Sequence, residues 1–286
     1  MANILVTGAN GQLGSELRQA GFTVLDDVFY TDAADLDITD LDAVLAYVKK
    51  HEIDTIVNCA AYTAVDKAEE DAENAAKVNT EAVSNLAKVA CKEDCLLIHI
   101  STDYVFDGTA NVPYTEKSKP NPQTVYGSTK LAGEKAIIDS HCLYVIIRTS
   151  WLYSAYGNNF VKTIRRVAAE KGKLNVVNDQ IGSPTYAADL ANVIVRIIGD
   201  DNVVEKSGIY HFSDEGVCSW YDFAKEIVEL SHIPCEVEPV TSAQFPAKAR
   251  RPAYSVLDKS GIKRSFNIEI PDWKEALARC IARLAE

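Results

Sequence analysis

The run Thr7-Gly8-Ala9-Asn10-Gly11-Gln12-Leu13-Gly14 follows an apolar stretch, residues 3–7, and opens a segment of helical period, residues 12–20. A glycine loop at that junction restricts the fold more than any other feature of the chain. A tight strand-to-helix turn needs residues without a Cβ, and the helix start offers free N–H groups and a positive dipole end to an anion. Gly8, Gly11 and Gly14 suit the turn, the close approach of a pyrophosphate and the packing of helix on strand, with Asn10, Gln12 and Leu13 completing the loop. A plain turn also uses glycine, so the weight comes from the position of the loop in an alternating chain.

That alternation is clear in the first half. Short apolar runs at 3–7, 28–31, 55–59, 96–100 and 144–148 read as strands, separated by segments of helical period at 12–20, 41–50, 71–91 and 126–140. The third helical segment spaces Ala75, Val78, Ala82, Leu86 and Val89 three and four residues apart. Right-handed crossovers then give an α/β fold with a Rossmann-type, doubly wound parallel sheet. Residues 1–150 are expected to form the dinucleotide-binding domain and 151–286 mainly a smaller C-terminal substrate-binding lobe, with parts of 172–212 returning to the sheet. In that half, 160–171, 186–198, 220–230 and 272–285 read as helices, 174–177 and 208–212 as strands, and 239–251 as an irregular loop. Ser219-Trp220-Tyr221-Asp222 reads as a capping box.

Charge limits the partners. The 286 residues carry 29 Lys+Arg against 41 Asp+Glu, a formal charge of −12, which argues against a nucleic-acid groove or a membrane-binding basic patch. The expected partner is a small molecule. Seven scattered cysteines with no C-x-x-C pair indicate thiols in a reducing compartment, neither a disulfide framework nor a metal site. No secretory leader follows Met1 and no apolar run reaches about 18 residues, so a cytoplasmic protein is expected.

Asp32 falls at the end of the second strand, where a carboxylate accepts adenosine ribose hydroxyls and repels a 2′-phosphate; a slipped strand end would give that place to Asp26 or Asp27. No Arg or Lys occurs between Arg18 and Lys49, so NADH is favoured over NADPH. Asp37-Ile38 and Asn58-Cys59-Ala60-Ala61-Tyr62 follow the second and third strands, at the edge where open α/β sheets bind ligands; Ala60-Ala61 also suits plain packing. Tyr126 and Lys130, at i and i+4, share a helix face. A cation there is expected to stabilise the phenolate and lower the Tyr126 pKa. Thr102, at the end of the fourth strand, is placed to meet Tyr126 across the crevice.

The segments VNCAAYTAVDKAE, STDYVFDG, YGSTKLAGE, RTSWLY, GNNF, DQIGSPT and RRPAYSVLD, spread over nearly the whole chain, resemble the dTDP-4-dehydrorhamnose reductase family of the extended short-chain dehydrogenase/reductase superfamily. The G-x-x-G-x-x-G spacing is similar to that of the same superfamily. The resemblance implies hydride transfer to C4 of a 4-keto sugar, with Tyr126 protonating the alkoxide, Thr102 polarising the carbonyl, and Lys130 holding the nicotinamide ribose and tuning Tyr126. It also implies that Asp103, Tyr104, Trp151 and Asn159 line the sugar site; Trp151 equally suits a core. Arg250 and Arg251 form a basic pair in an acidic chain, and Arg251 is the expected diphosphate clamp, the alternative being a solvated pair. Some family members are dimers bridged by magnesium between glutamates; Glu16 is retained here, but Ala188 stands where the second is expected, which favours a monomer. Rival readings are a nucleotide-sugar 4-epimerase or 4,6-dehydratase, the latter disfavoured by Tyr104 after Thr102-Asp103, and a regulatory subunit of the methionine adenosyltransferase type.

Overall fold

A computed structural model of the chain describes residues 2–22 and 26–285; Met1, where the leader expectation begins, lies outside them. The first half runs β1 (Asn3–Thr7), α1 (Gln12–Gln19), β2 (Asp27–Thr31), α2 (Leu41–Lys50), β3 (Thr55–Asn58), α3 (Val65–Ala68), α4 (Ala72–Ala76), a π turn (Lys77–Glu81), α5 (Ala82–Lys92), β4 (Leu96–Thr102), a 3-10 turn (Asp103–Val105), α6 (Val125–Ser140) and β5 (Tyr144–Thr149). The second runs β6 (Leu152–Tyr153), α7 (Phe160–Lys171), β7 (Lys173–Val177), β8 (Ile181–Gly182), β9 (Thr185–Tyr186), α8 (Ala187–Ile198), β10 (Gly208–Phe212), β11 (Cys218–Ser219), α9 (Trp220–Leu230), β12 (Glu236–Val240), α10 (Ser260–Phe266) and α11 (Trp273–Arg283).

Local chemistry explains the helix starts. Asp40 accepts from the Asp42 and Ala43 N–H groups to cap α2, Thr124 accepts from Gly127 to cap α6, and Ser219 and Asp222 form a reciprocal capping box on α9. Six strands form a parallel sheet in the order β10-β5-β4-β3-β1-β2. Its strands are apolar on both faces because helices cover both. Ile4 and Val6 of β1 pack in the core shared with Leu17 and Leu190, while Leu5 faces the opposite core with Val44 and Leu86. A third core, with Tyr153, Phe223, Ile227 and Leu277, lies between α7, α9 and α11. The strand order reverses between β1 and β3, so the ligand crevice of an α/β sheet falls beyond their carboxyl ends.

Several expectations change. Residues 72–91 form one unbroken helical run, as the spacing predicts, but a π turn with wider hydrogen bonding lies inside it between α4 and α5. The segment 239–251 is not wholly irregular: β12 pairs in parallel with β7, and Pro239 is accommodated in that two-stranded ribbon. Thus β7 stays outside the central sheet, whereas β10 joins it beside β5. Helix α10, absent from the sequence reading, packs Ile262 and Phe266 on the β1 face. All seven cysteines are free, and among the described residues no helix is long and apolar enough to cross a membrane.

Helix α6 is tied to the sheet by a buried ion pair. Arg148 Nε and Nη2 of β5 reach the two Glu134 oxygens at 2.9 and 2.6 Å, with the side chains 2% and 1% exposed, and Ser101 donates to the same carboxylate. Removing one partner strands a buried charge, so Glu134→Gln is expected to lower the unfolding free energy in urea by about 3–5 kcal/mol. A loss below about 1 kcal/mol would show that α6 is held by packing alone.

Candidate active site

The site begins where two loops touch. Gly8 has φ 64°, and a Cβ there would lie 2.6 Å from the Ala60 nitrogen, so only glycine lets the loop after β1 close on the loop after β3. Gly11 is the N-cap residue of α1, where no side chain caps the helix, and Leu13 and Gly14 are buried beneath it. Asp32 faces this loop: Oδ2 accepts from the Asn10 N–H at 3.0 Å, and the Asp32 N–H donates to Asp35. Register pairs Asp27 with Asn3, at the amino end of the sheet, so Asp32 and neither Asp26 nor Asp27 occupies the carboxyl edge. Asp37 is exposed and bonded to Thr39, which holds its carboxyl below the usual range, whereas Ile38 is buried in the core.

Ala60, Ala61 and Tyr62 line the other side. The Tyr62 N–H donates to Asn79 Oδ1 and its hydroxyl to Asp71, each at 2.9 Å. Asn79, fully buried on the π turn, also donates to Thr129 of α6. The π turn therefore holds this loop against α6, a role the sequence reading missed because nothing in the apolar spacing marks it.

Thr102 ends β4 and caps the following 3-10 turn by accepting from the Tyr104 N–H. Its hydroxyl donates to Asp103 Oδ1 at 3.0 Å and lies in hydrogen-bonding reach of Tyr126. The start of α6 comes this close because residue 127 is glycine; a Cβ would meet the Tyr104 carbonyl oxygen. Tyr104 and Tyr126 meet edge to face at 5.5 Å. Tyr104 accepts from Arg251, whose other nitrogen pairs with Asp66 at 2.5 Å.

Burial pushes the Tyr126 phenol up, with the Thr102 hydrogen bond opposing. Lys130 does not offset this as the helix spacing predicted. It is 1% exposed, and its Nζ turns under α6 to the Ile100 carbonyl at 2.6 Å and to within 3.2 Å of His99 Nε2. Burial brings the lysine down to about 8. Asp103, 3% exposed beside Ser255, is pushed up to about 6 by burial against several hydrogen bonds.

Trp151 has φ 50°, a strained value for a bulky side chain, and stacks on Trp220 at 3.7 Å, a partner the sequence did not reveal. Asn159 caps α7 and donates to Gln12 Oε1 at 3.0 Å, so it braces the glycine loop. Arg250 and Arg251 line a cleft of about 670 Å³ with Gly108, Gln180, Ser242 and Tyr254. Glu16 is buried, accepting from Ser154 and Arg283 at 2.7 Å, and Ala188 is only packed against the third core. Among the described residues no cluster of three or more His, Cys, Asp or Glu is arranged for a metal.

A family profile described as the RmlD substrate binding domain matches residues 1–286. The chain belongs to the RmlD family. A dTDP-4-dehydrorhamnose reductase of Aggregatibacter actinomycetemcomitans is 41% identical over 290 residues, covering 97% of each chain. The solved dTDP-4-dehydrorhamnose reductase of Clostridium acetobutylicum superposes on this RmlD-family chain with a TM-score of 0.95 at 43% identity, covering 99% of this chain and 100% of that one. A Bacillus anthracis dTDP-4-dehydrorhamnose reductase, solved in complex with NADP, gives 0.92 at 39% identity and the same coverage.

The raised Asp103 pKa has a stability consequence. The folded chain binds this proton more tightly than the unfolded chain, so the native state loses stability as pH rises from about 4 to about 6. Asp103→Asn should therefore be more stable than the parent above pH 6, by on the order of 2–3 kcal/mol, with the difference fading towards pH 4. Urea titrations across that range test it, and a pH-independent difference would reject it.

Proposed function

We propose that this chain reduces the C4 keto group of dTDP-4-dehydro-L-rhamnose to dTDP-L-rhamnose, a step in making polysaccharide precursors. The observation that carries this reading is the Thr102 hydroxyl within reach of the Tyr126 phenol, at the sheet edge next to the glycine loop. Membership of the RmlD family and relatives named for this reaction support it.

The cradle left by Gly8 and the α1 start, uncapped by any side chain, fit a dinucleotide diphosphate. The bound dihydronicotinamide supplies the hydride. Thr102 hydrogen-bonds the substrate carbonyl oxygen, and Tyr126, its phenol kept protonated by burial, gives its proton to that oxygen as charge develops there. Lys130 orients the nicotinamide ribose from beneath α6. Tyr104, Asp103 and Trp151 border the sugar, while Asn159 acts through Gln12. Arg251, or Arg250 beside it, binds the diphosphate in the 670 Å³ cleft. Residues 1–150 hold the cofactor, and 151–286 mainly the substrate.

Asp32 and Asp35 at the end of β2 disfavour a 2′-phosphate, so NADH is the preferred cofactor, although the Bacillus anthracis relative was solved with NADP. Glu16 is neutralised within the chain by Arg283, which supports a monomer over a metal-bridged dimer. A cytoplasmic enzyme acting on a small anionic substrate, away from nucleic acid and membranes, fits the net charge.

Incubation with dTDP-4-dehydro-L-rhamnose and NADH should consume the cofactor and yield dTDP-L-rhamnose. Tyr126→Phe is expected to lower kcat by about 10²–10⁴. No turnover, or undiminished turnover in the variant, rejects the reaction or the role of Tyr126 respectively. With both cofactors compared, a higher kcat/KM with NADPH rejects the Asp32 argument.

A further inference from the structure

We propose that Asp66 is the positioning residue for Arg251: its carboxylate, presented from beside the cofactor loop, fixes the guanidinium at the cleft wall before a nucleotide diphosphate arrives. The inference rests on the reading of Arg251 as the diphosphate clamp, and not on which sugar the chain reduces.

The two residues are 185 positions apart and belong to different halves of the chain. Asp66 lies on α3, shortly after the Ala60–Tyr62 loop, and α3 is itself held. Ala68 is fully buried, and Glu69 accepts from the Val125 N–H at the start of α6 at 2.9 Å. From this base the Asp66 carboxylate makes two bonds to one short stretch of the other half. Oδ1 accepts from the Ala249 N–H at 2.9 Å, and Oδ2 accepts from Arg251 Nη2 at 2.5 Å. Ala249 is 2% exposed, so the backbone leading to the arginine is pinned as well as its head group. The other arm of the guanidinium, Nη1, donates to the Tyr104 hydroxyl at 3.0 Å. Burial pushes that phenol up to about 12 against the opposing Arg251 charge, so it stays an uncharged acceptor.

A guanidinium is planar and presents its N–H groups in a fixed fork. With each terminal nitrogen tied, one to Asp66 and one to Tyr104, the plane cannot turn, and its remaining hydrogens are left for the cleft that Arg251 lines. A free arginine loses its rotamer freedom only on meeting the ligand; here the fold has already removed it. Arg250, which lines the same cleft, is exposed. Stability does not explain the pair. The Arg251 and Asp66 side chains are 27% and 45% exposed, and ion pairs of that exposure contribute little to folding. Charge alone does not explain it either. A carboxylate beside an anion site weakens binding by repulsion, so on charge its removal should tighten the complex. Positioning predicts the opposite sign.

Calorimetric titration of the full chain with dTDP at constant ionic strength decides the sign. Asp66→Asn keeps an oxygen for the Ala249 N–H but turns an NH₂ towards the guanidinium, donor against donor. Its dTDP dissociation constant should rise about three- to tenfold, the cost of ordering a freed arginine on binding. The KM for the sugar nucleotide should rise in step, while kcat and the KM for NADH change by less than about twofold. The urea midpoint should stay close to the parent's, which separates lost positioning from lost folding. Arg251→Gln should weaken dTDP binding by about tenfold or more. Adding Asp66→Asn to it should change nothing further, because the two residues act as one unit. Tighter or unchanged binding in Asp66→Asn overturns the proposal, as does a fully additive loss in the double variant or a parent that binds no dTDP. The expected dTDP pattern in a chain that does not reduce dTDP-4-dehydro-L-rhamnose would reject the reaction and leave this inference standing.

Discussion

The approach of Gly8 to the Ala60 backbone is the contact on which the site depends. It closes the loops after β1 and β3 on each other, and the Ala60 N–H that comes with it sets the Asn58 amide. Through His99 the same hydrogen-bond chain reaches Lys130 beneath α6. The glycine loop and the Lys130 side chain are therefore parts of one packed unit.

Burial and charge divide the remaining work. The Glu134–Arg148 pair anchors α6, and the Glu134 charge partly opposes the lowering of Lys130 by burial. Burial dominates the tuning of the site: it raises Tyr126 and Asp103 and lowers Lys130. Arg250 and Arg251 bring cationic side chains to the lining of the cleft.

Helix α11 is tied to α1 and α8 through charge as well as packing. Arg283 reaches Glu16 on α1, and Arg279 grips Asp189 on α8 at 2.9 and 2.6 Å. Glu16 is thus occupied within the chain, and Ala188, one residue before Asp189, brings no carboxylate of its own.

The amino-acid sequence by itself determined the alternating α/β order, the glycine loop and the candidate Thr102, Tyr126 and Lys130 set, because local spacing and side-chain type suffice for these, whereas strand register chose Asp32 over Asp26 and Asp27. Tertiary structure decided the rest. The π turn at Lys77–Glu81, the β7–β12 ribbon and the stacking of Trp151 on Trp220 depend on partners distant in sequence. Helix spacing placed Lys130 on the face of Tyr126, but only the fold shows its Nζ turned to Ile100 and His99. Where a flexible side chain ends depends on which acceptors the neighbouring strand supplies, and its charge on how much water remains.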